Sequence, residues 1–352
     1  MHSKRETTSR KDAVPIFIVG AGRSGTSVLT WCLGQHPNIL PLPETHWIAN
    51  LSVHMRQLYA LGTAHGHYSH LGALDWTDKD FYAAYGQAIN QLVVNTKEPR
   101  LRFIRKRSAE KWGVNKAQVE ALHKQSVVSP NPVPVSAKNY QIVRSPEDPK
   151  NRWIDGTPEN TFYMYSLSLL FPNAKFIHIL RNPHEVAQSL MHFSQAGGAG
   201  HDHNENEAYS SWLRHVEYAF KGEQALGSEK VLRMDFQEFV QSPEKTLRHC
   251  LEFLEEEYCS DCLLPLQEKI NSSNVALEAT KKQIKSRKAQ ESLKFYHQIL
   301  NTVPGEPEIK ALKELRQRYQ NLEENRFKKL KDSMKKIKLF FQPHVNSLLP
   351  RN

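Results

Sequence analysis

The sequence predicts an α/β protein in which a parallel β-sheet is flanked by helices. Three observations carry that expectation. Ile16-Phe17-Ile18-Val19 is a short apolar run, rich in β-branched residues and ended by glycine, the pattern of a strand buried on both faces. Gly20, Gly22 and Gly25 follow, with Arg23, Ser24, Thr26 and Ser27 among them, and Val28-Leu29-Thr30-Trp31-Cys32-Leu33 then reads as a helix start. A second block repeats the plan: Phe176-Ile177-His178-Ile179-Leu180 is an apolar strand, and Arg181-Asn182-Pro183 turns into a helix opened by the proline.

Composition sets the frame. The chain has 352 residues, 39% hydrophobic and 24% charged, enough for one large domain or two small ones with an ordinary core. No apolar run approaches the ~20 residues of a membrane span. The start, MHSKRETTSRKDAV, has no apolar leader pattern and reads as a frayed tail over 1–14. Four cysteines make no disulfide framework, so cytoplasmic residence is the expectation. Cys259-Ser-Asp-Cys262 is a lone C-x-x-C without a second pair. The net charge of +10 suits a polyanionic cofactor, an acidic substrate or an anionic membrane without choosing among them. With no zinc-finger pattern and no aromatic RNP-like run, nucleic acid is not an expected partner.

A glycine-rich turn between strand and helix aims backbone N–H groups and the helix dipole at an anion. In the ATP-type loop, G-x-x-x-x-G-K-[ST], a lysine reaches the outer phosphates and a hydroxyl holds magnesium. Gly20 and Gly25 keep that spacing, but Thr26 stands at the lysine position and the positive charge has moved to Arg23. The cradle is kept and the γ-phosphate equipment is dropped. The pattern alone also fits a plain tight corner.

Gly34 and Pro37 stop the first helix, and Ile39-Leu40 begins a second strand. The turn after it carries Glu44, Thr45 and His46. Residues just past the C-terminal end of a parallel strand line the ligand crevice. Glu44 is therefore a candidate general base, with His46 second; the alternative is that Glu44 caps a helix starting near His46. Residues 48–125 read as helical, with Leu51, Met55 and Leu58, then Phe81, Tyr85, Ile89 and Leu92, at apolar spacing. A basic cluster spans 100–107, and 126–150 is a loop rich in proline, serine and asparagine. The span 50–150 is expected to be an insertion that caps the site and shapes acceptor choice.

Trp153-Ile154-Asp155 leads into Gly156-Thr157-Pro158 and a helix carrying Phe162, Tyr165, Leu169 and Leu170. Arg181 ends the next strand where a kinase-like protein would carry an acidic magnesium ligand; a cation there suits a second phosphate. Ser189, two helical turns on, stays near the same face. Arg181 can equally pair with an acid at the sheet edge, and His178 fits a core histidine. Residues 194–208 read as a glycine-rich lid; His201-Asp202-His203 on it is too slight for a metal site, and no metal is expected. A helix around Trp212, Val216 and Phe220, a strand over Lys230–Asp235 and a capped helix from Ser242 to Leu254 follow.

These blocks together resemble the sulfotransferase family that uses 3′-phosphoadenosine 5′-phosphosulfate (PAPS). The R-S-G-T-S at 23–27 resembles the 5′-phosphosulfate loop of tyrosylprotein, heparan-type and many bacterial members. F-I-H-I-L-R-N-P-H-E-V-A-Q-S-L resembles the 3′-phosphate motif, whose arginine and serine fall on Arg181 and Ser189. The W-I-D-G-T-P segment, R-M-D-F-Q-E-F-V-Q-S-P-E-K-T-L and Asn271-Ser272-Ser273 resemble further landmarks in the right order. The match spans about 15–275 and implies a P-loop NTPase-like sulfotransferase fold.

The resemblance implies that Gly22, Arg23, Ser24, Gly25, Thr26 and Ser27 hold the 5′-phosphosulfate. Arg181 and Ser189 would hold the 3′-phosphate, with Asn271 and Ser272 as further cofactor contacts. It implies Glu44 as base and Arg23 as the group that stabilises sulfuryl charge. Many relatives carry a lysine before the T-P step, where this chain has Gly156. The expected activity is transfer of a sulfuryl group to the hydroxyl of a carbohydrate, tyrosine, lipid or small alcohol. The alternatives are a nucleotide or nucleoside kinase on the same scaffold and a non-catalytic anion-binding protein.

From 276 to the end the composition turns to lysine, glutamate, glutamine and leucine, read as a basic helical extension. Ile309, Leu312, Leu315, Tyr319 and Leu322 form one stripe; Phe327, Leu330, Met334, Ile337 and Phe341 form another among six lysines. Such a helix over 309–341 packs on its own domain, self-associates or lies peripherally on an anionic membrane.

Overall fold

The computed structural model describes residues 14–94, 150–195, 204–267 and 286–321. Five parallel strands form one sheet in the order β2-β3-β1-β4-β5. They are β1 (Ile16–Val19), β2 (Ile39–Leu42), β3 (Arg152–Asp155), β4 (Lys175–Leu180) and β5 (Val231–Asp235). With helix α1 (Thr26–Leu33) behind the glycine loop of β1, this is a P-loop-like arrangement flanked by helices, as the sequence predicts. All five strands point one way, so their C-terminal ends, and the loops that follow them, gather on one edge.

The apolar runs are continuous because both sheet faces are covered. Ile16 and Ile18 look into one core with Ile154, Ile177, Ile179 and α8 (Pro243–Phe253). Phe17 and Val19 look into the other, with Trp153, Phe176 and α4 (Met164–Leu170). The β1–β4 register sets Phe17 beside Phe176, and the rings stack at 5.4 Å; Trp153 meets Phe17 edge-on at the same distance. Such ring pairs add about 0.5–1.5 kcal/mol beyond area burial.

Two helices cover the second core. In α2 (Trp47–Gly62) the buried residues are Ile48, Ala49, Ser52, Val53 and Met55, and Leu58 is exposed. In α3 (Asp78–Val94) they are Phe81, Tyr82, Gly86, Ile89 and Val93. Tyr85 and Leu92 of the expected stripe face outward. The reason is a backbone crossing: a Cβ on Gly86 would sit 1.7 Å from the Leu170 carbonyl oxygen, so the glycine side of α3 is the side that packs. Residues 95–149 of the expected insertion lie outside the described residues.

Beyond β4 come α5 (Pro183–Gln195) and α6 (Glu205–Leu226). Asn204 starts α6 by accepting the Glu207 amide at 3.0 Å, and Trp212 and Val216 are fully buried along it. Past β5, α7 (Phe236–Gln241) opens on an Asp235 cap. Ser242 precedes α8 but makes no side-chain cap bond, against the expectation of a capped start. Helix α9 (Arg287–Leu300) packs back on α6 through Tyr296 and Ile299.

The helix at 309–321 buries Ala311, Leu315 and Tyr319 and leaves Ile309 73% exposed. Its face is thus offset from the stripe the sequence predicts. The Tyr319 hydroxyl reaches 3.0 Å from that of Tyr82 and donates to the Ser52 carbonyl at 2.7 Å. The 327–341 stripe lies outside the described residues. Among the described residues no helix is long and apolar enough to cross a membrane.

A polar network sits inside the fold where β4 and β5 pair. His178 and Arg233 are register partners, and both engage the buried Glu223 carboxylate of α6. Arg233 also donates to the Ile299 and Thr302 carbonyls at 2.7 and 2.6 Å. Burial by itself would raise the Glu223 carboxyl, but His178 and Arg233 hold it below the usual carboxylate range. A depressed native value means the stabilisation is full above the unfolded pKa and fades as pH falls through the native one. Glu223→Gln leaves Arg233 buried without its counter-charge and should cost about 3–5 kcal/mol in a denaturant melt at pH 7. The gap to wild type should narrow on acidification; a variant as stable as wild type at pH 7 contradicts this account of the network.

Candidate functional site

The loop after β1 is built for close approach. Gly20 and Gly25 take φ of +138° and +103°, and Arg23 between them takes +66°. A Cβ on Gly20 would lie 2.5 Å from the Ile179 carbonyl oxygen, and one on Gly25 would lie 2.6 Å from the Phe236 ring. Gly25 is also the N-cap of α1 and offers no side-chain cap bond. The first-turn N–H groups, Thr26 and Ser27 included, are thereby left for an anion. The Ser24 hydroxyl is fully buried in the loop and has no partner among the described residues. A donor in that state fits a bound oxyanion.

The two motifs meet directly. Arg23 Nε donates to the Ser189 hydroxyl at 3.2 Å, across 166 positions of chain. Arg181 Nη1 donates to the Arg23 carbonyl at 3.0 Å, and its Nε donates to Glu185 at 2.8 Å. The acid pairing foreseen as an alternative for Arg181 is therefore present alongside the loop contact. Phe236 lies under the guanidinium, 4.2 Å from ring centre to carbon. Trp212 Nε1 fixes the Arg181 carbonyl at 3.0 Å, and Gln237 holds the other Glu185 oxygen at 2.7 Å. Burial, then the nearby Arg181 charge, lowers the Arg23 guanidinium below its ordinary value. Two guanidiniums that disfavour each other beside an unpartnered hydroxyl make a site for a polyanion.

On the other side of β1 stands an acidic cluster. Glu44 and His46 leave the end of β2, and His46 Nε2 lies 3.2 Å from the Glu44 carboxylate. Glu159, in the 3₁₀ turn Pro158–Tyr163, lies 3.7 Å from His46 Nδ1. All three side chains are about half exposed. Burial, then the Glu159 and Asp155 charges, raises the Glu44 carboxyl above its ordinary range, with His46 opposing. Glu44 does not cap α2: the N-cap is His46, and it makes no side-chain cap bond.

The segment that joins the two halves carries the W-I-D-G-T-P landmark, in which the sequence marked no site residue. Asp155 is fully buried. Its carboxylate accepts from Thr45 Oγ1 at 2.6 Å, from the Thr157 amide and hydroxyl at 2.9 and 2.5 Å, and from Asn160 at 2.9 Å. Thr157 Oγ1 accepts the Thr45 amide at 2.9 Å. Further along, Thr161 Oγ1 accepts the Gly20 amide at 2.8 Å. Residues 155–161 thus tie the Glu44 turn to the glycine loop. The available signal was Asp155-x-Thr157 at a strand end, a side-chain-to-backbone turn pattern.

Gly156 has its own reason. A Cβ there would lie 2.2 Å from Thr30 Oγ1, which is tied back to the Thr26 carbonyl at 2.8 Å. A side chain at this position meets Thr30 unless that hydroxyl gives up its bond to the Thr26 carbonyl. Asn271, Ser272 and His201-Asp202-His203 lie outside the described residues. Cys259 and Cys262 are free thiols, and burial pushes Cys262 up to about 12, which makes it a poor thiolate.

A family model described as the Sulfotransferase family matches residues 15–260. An uncharacterized protein of Aquifex aeolicus VF5 is 24% identical over 256 residues, covering 68% of this chain and 25% of that protein. The chain thus spans about a quarter of the length of that curated relative. The sulfotransferase domain of the Synechococcus PCC 7002 olefin synthase is similar at a TM-score of 0.48 and 18% identity, covering 84% of this chain and 98% of that one. The sulfotransferase domain from the curacin biosynthetic pathway is similar at 0.44 and 15% identity, covering 84% and 100%.

The loop geometry makes a paired prediction. A Cβ added to Gly22 would meet nothing within 4 Å, so Gly22→Ala should stay within about 0.5 kcal/mol of wild type. Gly25→Ala meets both the Phe236 ring and a disallowed φ and should lose about 1–3 kcal/mol in a thermal or denaturant melt. Equal stability of the two variants would mean that the loop is not held as described.

Proposed function

The chain belongs to the sulfotransferase family, and from that premise we propose that it moves a sulfuryl group from PAPS to an acceptor hydroxyl. The observation that carries this reading is the joining of Arg23, Ser189 and Arg181 beside the unpartnered Ser24 hydroxyl. It supplies cations and donors for an anion with phosphate groups at two ends, without the lysine of an ATP-type loop.

In this reading Gly22, Arg23, Ser24, Gly25, Thr26 and Ser27 hold the 5′-phosphosulfate, and Arg181 and Ser189 hold the 3′-phosphate. The donor supplies the sulfuryl group. Glu44 takes the proton of the acceptor hydroxyl. Arg23 and the loop N–H groups stabilise the charge that builds on the transferring group and the bridging oxygen. Preorganised donors of this kind cost no reorganisation at the moment of reaction, which is why they outweigh flexible surface charges. The acceptor is a hydroxyl compound: a carbohydrate, a tyrosine, a lipid or a small alcohol.

The test is release of adenosine 3′,5′-bisphosphate from PAPS, with water and with a panel of a phenol, a primary alcohol and a hexose. Glu44→Gln should lose about 10²–10⁴ in turnover while binding the bisphosphate like wild type. Because burial and two neighbouring acids raise the Glu44 carboxyl, the acid limb of the wild-type kcat profile should lie above the ordinary carboxylate range. Wild-type turnover in Glu44→Gln would remove Glu44 as the base.

A further inference from the structure

His46 has a backbone that no local sequence preference explains. Its φ and ψ are 45° and −40°, and the Trp47 amide closes a three-residue turn onto the Thr45 carbonyl. That is the rare, positive-φ hand of the γ-turn. Thr45, before it, is locked to the end of β3 by its hydroxyl on Asp155 at 2.6 Å and its amide on Thr157 at 2.9 Å. The imidazole does not cap α2. It lies instead between two carboxylates, with Nε2 3.2 Å from Glu44 Oε2 and Nδ1 3.7 Å from Glu159 Oε2. Strained non-glycine backbone persists where the surroundings over-determine it, and such places cluster at functional sites.

We propose that His46 is a positioning residue for the base: Nε2 donates to one oxygen of Glu44, leaving the other for the acceptor proton, while the Glu159 carboxylate faces Nδ1 at 3.7 Å as a charge partner. The inference rests on the reading of Glu44 as base. It gives Glu44, His46 and Glu159 the order of base, orienter and anchor that activated sites use in general. The charged and titratable groups facing Glu44 come from three elements: His46 on its own turn, Asp155 from β3 and Glu159 from the 3₁₀ turn. Glu159 is in turn within electrostatic reach of His215 on α6. Of the three groups facing Glu44, His46 favours the ionised carboxylate and the two acids oppose it. Without His46 the base protonates at higher pH, so the loss must depend on pH.

The test variant is His46→Gly, because glycine accepts the positive φ and keeps the turn. With bisphosphate release from PAPS as the assay, kcat should fall about 10-fold or more at neutral pH, with KM for PAPS unchanged. The acid limb should move alkaline, the deficit should shrink as pH rises, and added imidazole should restore part of the rate. His46→Gln, whose amide can stand in for the Nε2 donor, should keep more activity than His46→Gly. A loss equal at every pH and insensitive to imidazole would make His46 merely structural and overturn the proposal. So would wild-type kcat in His46→Gly while Glu44→Gln is inactive. If Glu44→Gln itself turns over normally, the base reading fails before this one is reached. Should His46→Gly lose its far-UV CD spectrum, the pH profile of His46→Gln decides: a kcat lowered equally at every pH, with the acid limb unmoved, would overturn the proposal.

Discussion

Asp155 is fully buried at the end of β3, where a carboxylate needs hydrogen bonds on both oxygens or becomes costly. That requirement fixes much around it. Thr45 must come across from β2, Thr157 must fold back over the strand end, and Asn160 must turn inward. Once those bonds are made, Thr161 stands against Gly20. One satisfied charge therefore sets the Glu44 turn and the glycine loop relative to each other. The sheet supplies a rigid floor through apolar packing on both faces; the Asp155 network supplies the registration above it.

Strand order then sorts the charges. In the order β2-β3-β1-β4-β5, the glycine loop leaves the central strand. On one side β2 and β3 lead into Glu44 and Asp155; on the other β4 leads into Arg181, which pairs with Glu185, and β5 ends in Asp235. Because all are parallel, every one of these groups lies on the same edge. Arg23 and Arg181 thus stand on the β1–β4 side, with Glu185 paired to Arg181, while Glu44, Asp155 and Glu159 stand on the β2–β3 side. Burial first, with like-charged neighbours adding to it, raises the Glu44 carboxyl and lowers the Arg23 guanidinium. In the proposed reading the base acts near one end of the donor anion, and that separation keeps it from being neutralised by the cations that would bind the donor.

The parts of the fold set by local apolar pattern were legible in the sequence. Ile16–Val19 and Phe176–Leu180 could only be buried strands, and Pro183 marked its helix start. The glycine turn after β1 was legible because a positive-φ turn between strand and helix needs glycine at fixed places. Helix faces were less so: Tyr85 and Leu92 fit an apolar stripe, yet the crossing at Gly86 turned α3 so that Tyr82 and Val93 pack instead. The same holds at 309–321, where Ala311 rather than Ile309 meets the core. Least legible were interactions between distant polar residues. Nothing in the sequence near Glu223 points to His178 and Arg233, or near Thr45 to Asp155, since each bond spans strands brought together only by the topology. His46 was visible as a neighbour of Glu44, but its left-handed turn was not, because the strain comes from tertiary anchoring of Thr45.

The proposed chemistry stands or falls on one cluster, Arg23, Ser24, Arg181 and Ser189, holding an adenosine that carries phosphate at both its 3′ and 5′ positions. The decisive experiment is calorimetric titration with adenosine 3′,5′-bisphosphate, repeated with ATP and Mg²⁺ and again on Arg181→Ala. Saturable binding of the bisphosphate in preference to ATP–Mg²⁺ is expected. Arg181→Ala should weaken it about tenfold or more, since a charge-assisted hydrogen bond to phosphate contributes roughly 1.5–3 kcal/mol. Preference for ATP–Mg²⁺, or bisphosphate affinity indifferent to Arg181, would show that this cluster does not hold such a donor.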